Sequence, residues 1–175
     1  MRPDSGQVLI GGLNIVKLAE PQRDRLRADR IGLVFQQFNL LPGFTALENV
    51  LVAMSFGSQV SSKERAESLL EAVGLADRFH HKPAAMSIGQ QQRVAVARAL
   101  ANRPRVLLAD EPTASIDPSH QQQVIDLLQA TCREEEVALL VVTHAPEVAE
   151  QFPVRHRLED FNRAAAVHPT TSGVY

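Results

Sequence analysis

Four groups of polar residues have types and positions that could do chemistry. Asp110 and Glu111 are adjacent acids at the end of the apolar run Val106 to Ala109, and Pro112 follows them. A carboxylate at the end of a buried strand can hold a divalent cation, and its neighbour can orient an attacking water, typically worth about 10²- to 10⁴-fold in rate. Asp-Glu-Pro could equally terminate a strand and cap a turn. His144 follows a second apolar run, "VALLVVT", where an imidazole could hydrogen-bond a phosphate or a water. A surface histidine at a strand end is the plainer alternative. Gln36 follows "IGLVF"; its amide could contact a cation or orient water, although a Gln after a strand is common. Ser87 opens "MSIGQQQRVAVARAL" with Gln90 three positions on. That is capping-box spacing, and a helix N-terminus with a Ser, Gly89 and free backbone N–H groups is also an anion site.

These groups need elements to hold them. "GQVLIGGLNI" reads as two short strands around a Gly11-Gly12 turn. "QRDRLRADR" reads as a charged connector. Ile31 to Phe35 is almost wholly apolar and suits a strand covered on both faces. "NLLPGFTALENV" follows, with turn chemistry at Pro42-Gly43. The spacing predicts a helix over Ser61 to Val73, with Ser61 and Glu64 as a capping box, an apolar face of Ala66, Leu69, Leu70 and Val73, and Gly74 as C-terminal cap. A second helix runs from Met86 to Asn102. A third begins at Pro118, capped by Asp117, with Val124, Ile125, Leu127 and Leu128 on its apolar face. A short helix follows His144, another spans Leu158 to Ala166, and "HPTTSGVY" reads as a frayed end. Strands alternating with helices predict an α/β fold with a parallel sheet, whose ligands bind at the carboxyl ends of the strands. Gln36, Asp110, Glu111 and His144 all stand at such ends.

Composition narrows the classes. Of 175 residues, 45% are apolar, enough for a core. The formal net charge of -2 gives no basic field for nucleic acid, and with 5% aromatics and no Trp a base-stacking platform is not expected. Cys132 is the one cysteine, so no internal disulfide can form, which fits a reducing cytosol. No apolar run approaches the roughly 20 residues that span a bilayer, and "MRPDSGQ" has no apolar core segment of a secretory signal. Work at a membrane would run through a partner.

Four motifs in one order, "VFQQFNLLP", "MSIGQQQRVAVARAL", "VLLADEPTASID" and "LLVVTHAPEVA", resemble the nucleotide-binding domain of ABC transporters. The likeness runs from "PDSGQVLIGG" to about Val148, and "ADRIGLVFQQFNLLPGFTALENV" is most similar to the lipoprotein-release and macrolide-export branch. The resemblance implies a P-loop NTPase-type parallel sheet with an inserted helical subdomain. It implies ATP and Mg²⁺ as ligands, with Asp110 and Gln36 at the metal, and Glu111, His144 and Gln36 in catalysis. Ser87, Gly89 and Gln90 would form the signature that contacts ATP held by a second ABC ATPase domain, and Asp117 would lie in the D-loop and bind the cofactor with them. The helical subdomain would dock an integral membrane permease, at the cytoplasmic face of the membrane. The implied segments are 1–35, a remnant of the ATPase core; 36–104, the helical subdomain; 105–152, the core with both acids; and 153–175, a C-terminal helix and tail.

The sequence departs from that family in three places. Met86 and Ile88 stand where the signature has Leu and Gly. If the contact there is made by backbone N–H, a side chain pointing away is tolerated; if a positive φ is needed, a β-branched residue is costly. Ala145 stands in place of an Asp, which trims a hydrogen bond. No Gly-Lys pair occurs in the chain, so the phosphate loop G-x-x-x-x-G-K-[ST] is missing, as is the adenine-stacking aromatic residue upstream of it. The expectation is that the chain begins just past that loop, lacks the strand and helix around it, binds little ATP in isolation and leaves apolar faces bare. A non-hydrolysing partner that lends its signature to an intact domain is the alternative expectation.

Overall fold

The computed structural model describes residues 5–161 other than Ser115, and the chain divides into two compact units, Met1–Thr143 and His144–Tyr175. The first unit opens with the expected hairpin, β1 (Leu9–Ile10) antiparallel to β2 (Leu13–Asn14). Gly11 and Gly12 turn the chain with φ of 57° and 82°, the pair of positive values that a type I′ hairpin turn requires. The charged stretch that follows is a helix, not a connector: α1 spans Glu20–Arg30. Only Leu26 of it is buried, so it shows no apolar stripe to read. Pro21 in its first turn and good helix formers such as Gln22, Arg23, Leu26 and Ala28 supply the propensity instead.

The sheet of this unit is parallel, with β3 (Ile31–Val34), β4 (Val106–Asp110) and β5 (Ala138–Val142) in that order. Register places Val34 against Ala109 and Ala109 against Val141. One face is covered by α4 (Ile88–Ala99) and α5 (Pro118–Glu134), which share a core with Val34, Leu107 and Ala109. At Gly32 the backbone of α4 comes so close that a Cβ would stand 2.3 Å from the Ala99 carbonyl oxygen. The opposite face differs from the expectation for β3. Leu33, Leu140 and Val142 are 43%, 55% and 55% exposed there. A parallel sheet is ordinarily buried on both faces.

Between β3 and β4 stand three helices: α2 (Ala46–Ser55), α3 (Lys63–Ala72) and α4. The sequence stretch of α2 was legible only as turn chemistry, yet its start is a full capping box. The Glu48 N–H donates to Thr45 Oγ1 at 3.2 Å, and the Thr45 N–H donates to Glu48 Oε2 at 2.7 Å. In α3 the cap is Ser62 and not Ser61: Ser62 Oγ accepts the Arg65 N–H at 3.1 Å, so the helix starts one residue later than the Ser61–Glu64 spacing predicts. Its buried residues are Ala66, Leu69 and Leu70, and Gly74 follows with φ of 74° in the cap position expected of it.

Among its described residues the second unit holds α6 (Pro146–Ala149) and a 3-10 turn, Leu158–Asp160. The rest of the helix predicted to Ala166, and the predicted frayed end, lie outside the described residues. Among those residues no helix is long and apolar enough to cross a membrane.

Candidate functional site

The parallel register delivers three of the predicted residues to one edge of the sheet. Asp110 is the last residue of β4 and pairs with Val142; Glu111 is one residue further on, and Gln36 lies two residues past Val34. All three therefore leave the sheet at its carboxyl edge, where parallel sheets bind ligands. Gln36 and Asp110 are exposed and Glu111 is half-buried. Glu111 has φ of 46°, the left-handed region that a side chain rarely adopts. Such a residue costs about 1–3 kcal/mol and persists only where its surroundings over-determine it. Two contacts do so here. The Glu111 N–H donates to the Val142 carbonyl at 2.9 Å, and the Thr143 hydroxyl donates to Glu111 Oε2 at 3.3 Å. Sequence reasoning missed Thr143; its signal was a hydroxyl one residue past a strand, beside the singled-out histidine.

Among the described residues no three His, Cys, Asp or Glu side chains gather as a metal cage. Asp110 and Gln36 offer one carboxylate and one amide oxygen. That hard, sparse donor set suits Mg²⁺, which keeps waters and substrate phosphates as most of its ligands. His144 stands two residues after Val142, exposed, as the first residue of the second unit.

A second group assembles at the start of α4. Ser87 caps the helix: the Gln90 N–H donates to Ser87 Oγ at 3.2 Å, and the Ser87 N–H donates to Gln90 Oε1 at 3.0 Å. Ile88 is the first helical residue, is absent from the residues of positive φ, and is 58% exposed. The positive φ that would penalise a β-branched residue is therefore not present, and the Ile88 side chain is one of those lining the cavity beside Ser87. Gly89 has open space where a Cβ would stand. A cavity of about 470 Å³ is lined by Ser87, Gly89 and Gln90 on one side and by Asp117, His120 and Val124 on the other. Asp117 caps α5, accepting from Ser119 Oγ at 2.6 Å and the Ser119 N–H at 2.9 Å. The Ser119 hydroxyl, and after it the Ser119 N–H, hold the Asp117 carboxyl below the usual carboxylate range. The structure thus joins Ser87, Gly89, Gln90 and Asp117 around one cavity, while Gln36, Asp110 and Glu111 stand apart from its lining.

Two buried polar side chains, Gln92 and Asn49, and the half-buried Arg98 hold the neighbouring loops, and sequence reasoning missed all three. Gln92 is fully buried and donates its amide to the Pro112 carbonyl at 2.8 Å, linking α4 to the turn after the two acids. Asn49 is fully buried in α2 and holds the loop before it: it accepts the Leu41 N–H at 2.8 Å and donates to the Leu41, Phe44 and Thr45 carbonyls. Arg98, near the end of α4, donates to the Phe38 carbonyl at 2.6 Å and to the Asn39 carbonyl. Burial pulls the Arg98 pKa down from its usual value. A polar residue on an otherwise apolar helix face was the available signal at Asn49 and Gln92.

The profile of the ABC transporter family matches residues 1–114. The chain is 48% identical over 150 residues to the lipoprotein-releasing system ATP-binding protein LolD 2 of Caulobacter vibrioides, covering 85% of this chain and 66% of that protein. It is 45% identical over 160 residues to the LolD protein of Nitrobacter hamburgensis, covering 90% and 69%. It superposes with a TM-score of 0.71 on the ATP-binding cassette MJ0796 in a dimeric post-hydrolysis state bound to ADP and Pi, at 40% identity, covering 85% of this chain and 67% of that one. A dimeric structure of MJ0796, a bacterial ABC transporter cassette, gives a TM-score of 0.72 at 40% identity. The chain spans about two thirds of the length of these relatives.

Proposed function

This chain belongs to the ABC transporter family, with the fold of its ATP-binding cassettes, and from that premise we propose that it is the ATPase subunit of a lipoprotein-release type of exporter. It powers a separate integral membrane permease, against which it sits at the cytoplasmic face of the membrane. It works as one of two ABC ATPase domains, the second a copy or a homologue. The relatives named LolD support the transporter type, and the dimeric cassette supports the pairing. The observation that carries the reading is the β3–β4–β5 register, which brings the loop of Gln36 and the Asp110–Glu111 pair to one sheet edge. In this reading residues 36–104 form the permease-docking helical subdomain between two ATPase core segments, 1–35 and 105–152.

The roles follow from the chemistry of each group. Asp110 and Gln36 would hold Mg²⁺, which when bound neutralises charge on the phosphate oxygens of ATP. Glu111 takes the proton of the attacking water as its oxygen bonds to the γ-phosphorus and the bond to ADP breaks. Thr143 orients the Glu111 carboxylate for that step. Ser87 and the N–H groups at the start of α4, with Gly89 leaving the approach open, bind the γ-phosphate of ATP on the facing domain, and Gln90 holds Ser87 in its rotamer. Asp117 carries the adjoining D-loop, and His144 hydrogen-bonds the γ-phosphate.

A second reading has the chain lend only its signature to an intact partner; the unstrained Ile88 and the complete Ser87–Gln90 cap favour it. Glu111→Gln in the native complex separates the two. On the first reading ATP turnover falls by about 10²- to 10⁴-fold while ATP stays bound. Unchanged turnover with Glu111→Gln, combined with a loss on Ser87→Arg, assigns hydrolysis to the partner alone. Unchanged turnover with both variants overturns both readings.

A further inference from the structure

The half-buried guanidinium of Arg98 ties α4 to the loop that follows β3. Arg98 is the eleventh of the twelve residues of α4. Its two terminal nitrogens reach the carbonyls of Phe38 and Asn39, 60 and 59 residues away in the chain. Those two residues have φ of 53° and 48°, a consecutive left-handed pair without a glycine. Such backbone does not persist unless something else holds it. The Phe38 N–H donates to the Phe35 carbonyl at 3.1 Å, so residues 35 to 38 close a tight turn with Gln36 at its first inner position.

Gln36 therefore projects between two fixed points. On one side β3 is locked to β4 through Val34 and Ala109. On the other, Phe38 and Asn39 are gripped by Arg98. The grip also has a remote end, because α4 is a continuous helix whose N-cap is Ser87, about 16 Å from Arg98 at 1.5 Å per residue. Among the described residues no carboxylate pairs with Arg98; its charge is met by neutral carbonyls. A partly buried cation in that setting is costly, and only a planar fork with several donors satisfies two adjacent carbonyls at once.

We propose that Arg98 is a positioning residue for Gln36, fixing the loop that carries it to the same rigid helix that presents Ser87. Any displacement of Ser87 along the axis of α4 is then passed to the Gln36 loop. The inference rests on Gln36 acting at the nucleotide site, so the test needs one measurement that works without nucleotide.

In the native complex, hydrogen exchange over residues 37–44 is measured with no nucleotide, together with kcat and KM for Mg-ATP hydrolysis. Arg98→Ala is expected to raise exchange in that loop by about tenfold or more with α4 unchanged, and to lower kcat by about tenfold with KM within about twofold. Arg98→Lys, which keeps the charge but not the fork, is expected to recover part of both. In a Gln36→Ala background, Arg98→Ala is expected to cost less than about twofold in kcat, because both variants remove the same function. Unchanged loop exchange in Arg98→Ala overturns the inference, and so does a further tenfold loss of kcat in the Gln36→Ala background. A native complex that hydrolyses no ATP overturns the proposed function instead, and loop exchange then decides the role of Arg98.

Discussion

The side-chain amide of Gln92 donates to the backbone carbonyl of Pro112 at 2.8 Å, with Gln92 only 1% exposed. This one bond joins the helix that starts at Ser87 to the turn that follows Asp110 and Glu111. Gln92→Leu keeps the volume and removes the donor, leaving the Pro112 carbonyl without it. We expect a loss of about 1–3 kcal/mol in unfolding free energy, read from urea denaturation. If the bond also sets the Glu111 turn, hydrolysis falls at temperatures where the variant remains folded; unchanged turnover would confine Gln92 to stability.

Thr143 is the second contact on Glu111. Its hydroxyl lies 3.3 Å from Glu111 Oε2. Thr143→Val has almost the same shape and no donor. The expected outcome is a drop in kcat of about fivefold to tenfold with KM held, since the carboxylate loses an orienting bond worth about 0.5–1.5 kcal/mol. Thr143→Ser should retain most of the rate. Equal rates for Val and Thr would show that Glu111 is oriented by other groups.

Glu136 ends α5 in a conformation that suits glycine. It has φ of 56°, the Val137 N–H donates to the Cys132 carbonyl at 2.8 Å, and the Glu136 N–H donates to the Arg133 carbonyl. That is the glycine-favouring end of a helix, the position filled by Gly74 after α3. Glu136→Gly is expected to stabilise by about 0.5–1 kcal/mol, the relieved strain exceeding the added entropy of the unfolded chain. Thermal unfolding checks it, with a rise of a few degrees expected and a fall counting against the strain.

Cys132 supplies the pH dependence. Burial pushes its thiol up to about 11 from an ordinary 9.0. The unfolded chain therefore releases this proton at lower pH than the folded one does. Between about pH 9 and 11 the folded state binds more protons, so stability from this group falls with rising pH, and below pH 9 it is fully present. Cys132→Ala should flatten that part of the stability profile. The native thiol should resist alkylation at pH 8, with labelling rates that follow unfolding; rapid labelling of the native protein would contradict its burial.

Local chemistry was legible where one residue type settles a short-range contact. The Ser87–Gln90 cap, the Asp117 cap, Gly74 after α3 and the paired glycines of the hairpin all depend on neighbours within four positions. The apolar runs of β3, β4 and β5 were legible for the same reason. Where a helix had no apolar stripe, as in α1, or was masked by Pro42 and Gly43 in the run before it, as in α2, the pattern carried too little contrast to read. Ser62 displaced Ser61 as the cap of α3 because two adjacent serines offer the same chemistry and only the path of the chain chooses between them.

By itself, then, the sequence determined the elements, the polar groups at their ends and a likeness of four ordered motifs, since each of these is encoded within a few residues. Only the tertiary structure decided the strand order and register that set Asp110, Glu111 and the loop of Gln36 side by side on the expected sheet edge, and that Ser87 and Asp117 share a separate cavity. It alone paired Gln92 with Pro112 and Arg98 with Phe38 and Asn39, across 20 and about 60 residues of chain. Such bonds exist because a folded core leaves each buried donor a single place to go, and no local pattern records which place that is.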